Sequence, residues 1–162
     1  MKVWTRIKSL SVRQFFKLSL LFLRHPLLLV PSIKATKQTF ALCNTYYPGG
    51  HGKSNKGNAF KHAVWNALLC TYSLKRTKSK QKSVFWAQKV TDLYEKVTNN
   101  NELDELMDLQ NNAVGRLYFF NYADKKESEL INFIFEKSKV AEKIANAKDI
   151  KLYPANMVYI VS

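Results

Sequence analysis

The stretch G-N-A-F-K-H-A-V-W-N, residues 57–66, places three polar side chains in an otherwise mostly apolar segment. Asn58, His62 and Asn66 are spaced four residues apart, which is about one turn of an α-helix. At about 100° per residue, both asparagines lie within about 40° of His62. A helix that is apolar on nearly all its other sides is usually buried. We therefore expect this polar stripe to face the interior or a cleft, where each group needs a hydrogen-bond partner.

A second polar stripe lies in M-D-L-Q-N-N-A-V-G-R, residues 107–116. Asn112 lies about 40° from Asp108 around a helix, and Asn111 lies about 60° away on the other side. Gly115, one turn further on, would let another backbone or a substrate approach closely. The opposite face of this helix is apolar and consists of Leu106, Leu109, Ala113, Leu117 and Phe120. Two interpretations stay open: the apolar face packs and the polar face is solvated, or the two polar stripes meet.

If the stripes meet, proton-transfer chemistry follows. An imidazole moves protons near neutral pH, and a carboxylate bonded to it fixes its tautomer. His62 and Asp108 are therefore the candidate catalytic residues. Amides and a guanidinium can bind a phosphate or a developing oxyanion, and the candidate substrate-binding residues are Asn58, Asn66, Asn111, Asn112 and Arg116. We predict no metal site and no cofactor, although a divalent cation with oxygen ligands is not excluded.

The first two acidic residues of the chain, Asp92 and Glu95, lie three residues apart on a predicted helix. They could add a carboxylate to the site. Because charged residues at this spacing usually lie on a solvated helix face, we interpret both as members of a surface salt bridge.

Periodicity and helix-capping residues predict an all-α fold, a single domain of about six helices with a short extended C-terminal tail. Ser32 and Ser83 are the expected caps of the second and fourth helices. The tail, I-K-L-Y-P-A-N-M-V-Y-I-V, is rich in β-branched and aromatic residues and predicts a short strand or a hairpin. The helices are expected at about 11–24, 33–46, 55–74, 83–96, 102–121 and 127–146.

Charge divides the chain into two unequal parts. Residues 1–91 carry 17 Lys and Arg and no acidic residue, whereas residues 92–162 carry 9 basic and 12 acidic residues. The net charges are therefore +17 and −3, which add to the total of +14. Such asymmetry indicates a polyanionic partner for the first part: an anionic phospholipid surface, a nucleic acid or an acidic protein. The alternative is a soluble protein that is simply basic, since net charge alone does not identify a partner.

Residues 1–24 form the first unit of the predicted organisation, a basic amphipathic helix, and residues 25–162 form the helical domain that carries both motifs. Phe15, Phe16, Leu20 and Phe22 would enter a membrane, with Arg13, Lys17 and Arg24 near the phosphates. The equal alternative is an ordinary core helix. No clear signal peptide or transmembrane helix is present in the sequence, so we expect a cytoplasmic protein or one at the inner membrane surface.

The segments N-A-F-K-H-A-V-W-N and M-D-L-Q-N-N-A-V-G-R resemble an uncharacterised bacterial family with the signatures NAFRHAxWN and MDxHNNxxGR. That family includes stand-alone proteins of Bacteroidetes-like bacteria and C-terminal domains of toxins. A more remote resemblance is to the helical core of prokaryotic Wnt-like domains, which implies action on lipids or lipid-linked headgroups. Three positions differ from the pattern: Lys61 replaces Arg, Gln110 replaces His, and Tyr94 stands where His is expected. These departures leave open whether this member is active.

The sequence thus predicts a membrane-surface hydrolase or transferase that acts on a phospholipid or a lipid-linked phosphate. The first alternative is a non-enzymatic module that binds an anionic membrane or a partner protein. The second is a toxin directed at nucleic acid, which would bind DNA or RNA in a salt-dependent way. The oligomeric state stays open.

Overall fold

A computed structural model describes residues 12–51, 54–98 and 102–160 of the chain. The fold is all-α with a small parallel strand pair near its end, as the sequence predicted. The helices are α1 Val12–Arg24, α2 Pro26–Tyr46, α3 Lys56–Thr77, α4 Lys80–Thr98, α5 Glu102–Tyr122 and α6 Glu127–Lys139. Strand β1 Glu142–Ile144, a 3-10 helix Ala147–Leu152 and strand β2 Val158–Ile160 follow.

Helix α3 is the centre of the molecule. It packs against α2, α4, α5, α6 and β2, and most of its residues are buried. The side chain of Asn55 caps its first turn by accepting a hydrogen bond from the Asn58 amide, and Lys78 ends it in the left-handed conformation with φ of 55°. A helix surrounded in this way must be apolar on several faces, which explains why residues 57–66 contain so few charges.

Gly115 fixes how closely α3 and α5 approach. A Cβ atom at this position would lie 2.7 Å from the Cα of Ala63 and would overlap the carbonyl oxygen of the same residue. The two backbones are therefore in direct contact at this crossing, and the predicted close approach is confirmed. It brings the polar stripes of both helices within hydrogen-bonding range of each other.

Two predicted helix starts are wrong. Helix α2 begins at Pro26, and Ser32 lies buried inside it, where its hydroxyl donates to the Leu28 carbonyl and accepts from the Trp86 indole. Helix α4 begins at Lys80, because the hydroxyl of Ser79 accepts from the amide of Lys82. Ser83 is buried within the first turns of α4. Both predicted caps are thus interior serines whose hydroxyls bond within the fold.

The C-terminal segment departs most from the sequence prediction. Helix α6 ends at Lys139 and not near residue 146, and residues 142–144 form β1. This strand pairs in parallel with β2, with Glu142 opposite Val158 and Ile144 opposite Ile160. The predicted strand is therefore confirmed, whereas the alternative of a hairpin is wrong, because a hairpin would pair its strands antiparallel. Met107, Ile144 and Val158 form a small separate core under this segment.

Helix α1 packs on α2 and α4, and the ring of Phe22 lies edge-on to Trp86 with centroids 5.8 Å apart. Phe22 is thus a packing residue, whereas the side chains of Phe15, Arg13 and Lys17 lie outside the described part. Residues 1–11 of the predicted first helix also lie outside it. Exposed apolar residues three or four positions apart form an N-terminal apolar patch: Phe16, Leu20, Leu23, Leu27, Val30 and Ile33. Within the described ranges, none of the helices combines the length and apolar character needed to cross a membrane.

Candidate functional site

Three helices each contribute one ionisable side chain to a buried cluster. His62 on α3 lies between Glu95 on α4 and Asp108 on α5. Its Nδ1 is 3.4 Å from Oε1 of Glu95, and its Nε2 is 3.2 Å from Oδ1 of Asp108. The three residues are between 1% and 6% exposed. We call them the His62 cluster.

Asn112 connects the cluster to the second polar stripe. Its amide nitrogen donates to Oε1 of Glu95 at 3.1 Å, and its oxygen accepts from Asn66 at 2.6 Å. The same oxygen is 3.2 Å from Nδ1 of His62. Because the amide orientation is set by Glu95 on one side and Asn66 on the other, the group that faces His62 is an acceptor. Nδ1 of His62 therefore carries a hydrogen.

Asn58 and Lys61 hold the other end of the cluster. The amide of Asn58 donates to Oδ1 of Asp108 at 2.8 Å, and its oxygen accepts a hydrogen bond from the ammonium of Lys61. Lys61 is half-buried and also lies 3.4 Å from the backbone oxygen of His51. A cation thus lies one amide away from Asp108, on the side where the cluster is nearest the surface.

Asn66 lies at the inner end of the stripe. Its oxygen accepts from Arg116 at 2.9 Å and from the hydroxyl of Thr91 at 3.3 Å, while its nitrogen bonds Asn112. The residue is fully buried and its side-chain groups are all hydrogen-bonded. Arg116 is half-buried, and burial lowers the pKa of its guanidinium against the opposing effect of the Asp92 charge.

The two carboxyl groups have opposite pKa shifts. Burial raises the pKa of Asp108, and the nearby charge of Glu95 raises it further, against the opposing effect of His62. Burial also acts to raise the pKa of Glu95, but the hydrogen bonds and charge of His62, with the Asn112 amide, hold it below its usual value. Glu95 is therefore the carboxylate that stays ionised. A site with one fixed charge and one movable proton can perform acid–base chemistry.

The structure brings most of the predicted site residues together. Asn58, His62, Asn66, Asp108 and Asn112 form one hydrogen-bonded network, and Arg116 joins it through Asn66. The interpretation in which the two stripes meet is therefore the one that the fold adopts.

Asn111 does not join this network. Its amide nitrogen donates to the Val158 carbonyl at 2.8 Å, and its oxygen accepts from the Val158 amide at 2.9 Å. Both polar groups of its side chain are used to hold β2 against α5. Asn111 therefore acts in this fold as a clamp on the C-terminal strand.

Glu95 is the residue that sequence reasoning misplaced. It was expected in a surface salt bridge, but it is 2% exposed and lies against His62. A signal for this position existed, because Ser83, Ala87, Thr91 and Glu95 follow one another at four-residue intervals and all are buried. A carboxylate that continues a stripe of small, weakly polar residues predicts an inward-facing charge.

The positions that depart from the family signatures do not all lie in the cluster. Gln110 donates to the Tyr153 carbonyl at 2.8 Å, so it holds the C-terminal segment. The ring of Tyr94 packs edge-on against Trp65. Lys61, where the resemblance implied an arginine, supplies a positive charge and contacts Asn58. The two positions where the resemblance implied a histidine, Gln110 and Tyr94, are not residues of the His62 cluster.

Residues 19–142 match a family model described as "Domain of unknown function (DUF6973)". The match covers most of the chain, including all three helices of the His62 cluster. No curated protein and no solved structure matches the chain.

Proposed function

The chain belongs to the DUF6973 family, and from this premise we propose that it is a membrane-surface enzyme. The proposed reaction is a hydrolysis or transfer at a phospholipid or a lipid-linked phosphate. The His62 cluster is the reacting centre, with His62 and Asp108 as the catalytic residues and Glu95 as the fixed charge.

The observation that carries the proposal is the burial of an imidazole and two carboxylates at one point of a small helical core. Burial of charged groups costs free energy, and even a well-paired buried ion pair seldom stabilises more than apolar side chains of the same volume would. Ionisable groups with shifted pKa values gather at functional sites for this reason. The cluster is therefore better explained by chemistry than by packing.

The surrounding amides and cations suit an anionic substrate. Asn58 and Asn112 orient the cluster, whereas Lys61 and Arg116 are half-buried cations at its two ends. A guanidinium and an ammonium are the side chains that bind phosphate most strongly in proteins. Asn66 positions Arg116, which gives that residue a defined direction.

The membrane part of the proposal rests on the N-terminal apolar patch. Leu23, Leu27 and Val30 are each at least 70% exposed, and residues 1–91 carry no acidic side chain. Next to the patch lies a surface cavity of about 330 Å³ whose lining includes Arg24 and Arg76. Apolar side chains beside arginines match an anionic lipid surface. The resemblance to prokaryotic Wnt-like domains favours lipids among the anionic substrates.

The two parts of the proposal can be separated by mutation. Arg76 follows His62 by fourteen positions along α3, which corresponds to about 21 Å at 1.5 Å per residue. Because Arg76 lines the same cavity as Leu27, we expect changes at that end of the apolar patch to leave the cluster intact, and changes in the cluster to leave the membrane contact intact.

A second candidate function is a non-enzymatic module that binds anionic membranes. The observation that favours it is the depth of the cluster: His62 is 1% exposed, and Asn66 and Asn112 are fully buried. In that case the network only orients α3, α4 and α5, and the apolar patch does the binding.

The test of the enzyme is made with vesicles that contain anionic phospholipid or a polyprenyl phosphate, with release of headgroup or phosphate as the readout. His62→Gln and Asp108→Asn are expected to abolish turnover, with only a small change in melting temperature when all proteins are compared in the presence of a chelator. Asp124→Asn is the control, because its carboxylate is 86% exposed and pairs only with a surface lysine. Turnover that survives in both cluster variants, or no turnover in the wild type on either lipid, would favour the binding module.

The test of membrane contact compares two double variants in a sedimentation assay with anionic and neutral vesicles. Leu27→Glu with Val30→Glu changes the patch, and Leu152→Glu with Val140→Glu changes residues of matched type and exposure elsewhere (70% and 71% against 71% and 66%). The first is expected to lose binding to anionic vesicles and the second to keep it. Wild-type binding should weaken as salt rises. Equal loss in both double variants, or stronger binding to nucleic acid than to vesicles, would contradict this part.

A further inference from the structure

The His62 cluster contains a polar contact that hydrogen bonds do not explain. Nδ1 of His62 carries its hydrogen toward the oxygen of Asn112, as the amide network requires. In the neutral ring, Nε2 then carries no hydrogen and is an acceptor, and it lies 3.2 Å from a carboxylate oxygen of Asp108. Whenever Asp108 is ionised, two acceptors face each other across this gap, an arrangement that is unfavourable unless a proton or another positive charge lies between or beside them.

A second ring proton does not resolve the contact well. Nε2 is not in hydrogen-bonding geometry with any residue that the structure describes. A proton there would be buried without an acceptor in line, which costs free energy. Nε2 thus makes no hydrogen bond with a described residue, although His62 is only 1% exposed and this nitrogen faces the carboxylate of Asp108.

We propose that His62, Glu95 and Asp108 bind a divalent metal ion. One donor atom from each residue can be chosen so that all three lie within 4.8 Å of one another, slightly more than the roughly 4.2 Å that two ligands of one ion can span, so an ion would draw the three side chains together. Two ligands on one ion at about 2.1 Å lie about 3.0–3.4 Å apart, which is the separation of Nε2 from Oδ1 of Asp108. Each ligand comes from a different helix, so an ion would bind α3, α4 and α5 together at the centre of the fold.

The neighbouring groups match those that usually surround a metal site. A metal-bound histidine normally donates its second ring N–H to a carbonyl or a carboxylate, and its ligating carboxylates are themselves hydrogen-bonded. Asn112 accepts from Nδ1 of His62 and donates to Glu95, and Asn58 donates to Asp108. The two motifs therefore supply two of the ligands and the amides that support them, which gives Asn58 and Asn112 a reason for their positions.

The donor set indicates the class of ion. One imidazole and two carboxylates suit Mn²⁺ or Zn²⁺ better than Ca²⁺, which prefers oxygen ligands alone. The two positive charges of the ion would neutralise two buried carboxylates. This inference goes beyond the proposed function, because an ion here would also stabilise a protein with no enzymatic activity. In an enzyme, a bound ion would make His62 a ligand, and the proton-transfer step would pass to water on the ion.

The experiment uses the full chain and no substrate. Purified protein is stripped with a chelator, reconstituted with Mn²⁺ or Zn²⁺, passed through a desalting column and measured by elemental analysis. We expect about one ion per chain, and a melting temperature that rises by about 5–10 °C over the stripped protein. Stripped and reconstituted wild type with the same melting temperature and no retained ion would overturn the inference.

Variants then locate the ion. Glu95→Gln and His62→Gln are expected to weaken ion binding by more than about 100-fold, since removal even of a supporting residue often costs 10- to 100-fold. Glu136→Gln is the control, because it changes a surface carboxylate that pairs with Lys139. If Glu95→Gln fails to fold, broadening of the electron paramagnetic resonance spectrum of Mn²⁺ on addition of the wild-type protein still shows whether the ion binds. Ion binding without turnover would support the metal site and contradict the proposed enzyme. Turnover without ion binding would support the enzyme and contradict the metal site.

Discussion

Two stripes of helix α5 reverse the usual burial rule, although Met107, Val114, Tyr118 and Phe119 of the same helix do pack in the core. Its inner face carries Asp108, Asn111, Asn112 and Gly115, all of them buried. Its outer face is apolar, yet Ala113, Leu117 and Phe120 are exposed, and Leu106 and Leu109 are only half-buried. On its own, this helix would be expected to bury the apolar face.

The reason for the reversal lies on the neighbouring helix. Helix α3 is surrounded by packing partners and cannot turn Asn58, His62 and Asn66 to solvent. These groups need hydrogen-bond partners inside the protein, and the polar face of α5 supplies them. The direction in which an amphipathic helix packs is therefore set by the polar groups that its neighbour must satisfy, and substitutions on each side of α5 test this.

The largest effect is expected at the crossing of the two helices. Gly115→Ala places a methyl group against the backbone of Ala63, which cannot move like the end of a flexible side chain. We expect the free energy of unfolding to fall by more than about 3 kcal/mol, above the usual range for overpacking. Chemical denaturation measures it. Gly50→Ala is the control, because its new methyl group would be at an ordinary 3.8 Å from the Tyr47 oxygen. Equal stability of the two variants would show that the helices can separate freely.

The second prediction concerns Asn112, which satisfies three partners on the inner face. Asn112→Ala leaves groups of His62, Glu95 and Asn66 without their amide partner, and a buried unsatisfied group costs about 1–3 kcal/mol. We expect a loss of about 2–3 kcal/mol. Asn121→Ala, on an exposed position of the same helix, should change stability by less than about 0.5 kcal/mol. A loss below 1 kcal/mol in the Asn112 variant would mean that the network contributes little to the orientation of α5.

The third prediction separates the clamp from the cluster. Asn111→Ala removes both hydrogen bonds to Val158, so the amide of Val158 should exchange with solvent deuterium about 10-fold faster or more. The amides in the middle of α3 should keep their protection, because the His62 network does not include Asn111. Hydrogen exchange read by NMR gives both values in one sample. Loss of protection throughout α3 would show that the two parts unfold together.

The smallest effect is expected on the outer face. Phe119 and Phe120 are neighbours in sequence, but Phe119 is 1% exposed and Phe120 is 42% exposed. Phe119→Ala should cost about 3–5 kcal/mol, as for other buried phenylalanines, whereas Phe120→Ala should cost less than about 1 kcal/mol. Thermal unfolding of the pair measures the difference. Similar losses in both variants would mean that the outer face is packed in solution.

Much of the fold follows from the sequence. Six helices, the burial of α3 and the close approach at Gly115 were predicted from periodicity and from one small residue. The cluster was predicted in outline, because His62 and Asp108 each lie on a stripe with regular four-residue spacing. Such local patterns are reliable since they depend only on the geometry of a single helix.

The remaining features depend on distant contacts. Helix α6 ends at Lys139 because the amide of Glu142 bonds the Met157 carbonyl, fifteen positions later, which no helical period reveals. The sequence around Ser32 predicts a helix cap, but its hydroxyl instead accepts a hydrogen bond from the Trp86 indole. Glu95 was predicted to be a surface charge because its partner, His62 on α3, is 33 positions earlier in the chain. In each case a tertiary contact overrides the local preference.

The Asn111 clamp also has a consequence for how the protein is made. Val158 is 47 positions after Asn111, so at about 5–20 residues per second a ribosome needs about 2–9 s to supply the missing partner. During that interval the inner face of α5 has an unsatisfied amide, while its apolar outer face attracts any other apolar surface. We expect the α3–α5 contact, which does not involve Asn111, to form before β2 is made, and the C-terminal strand to dock on α5 only once Val158 has been synthesised.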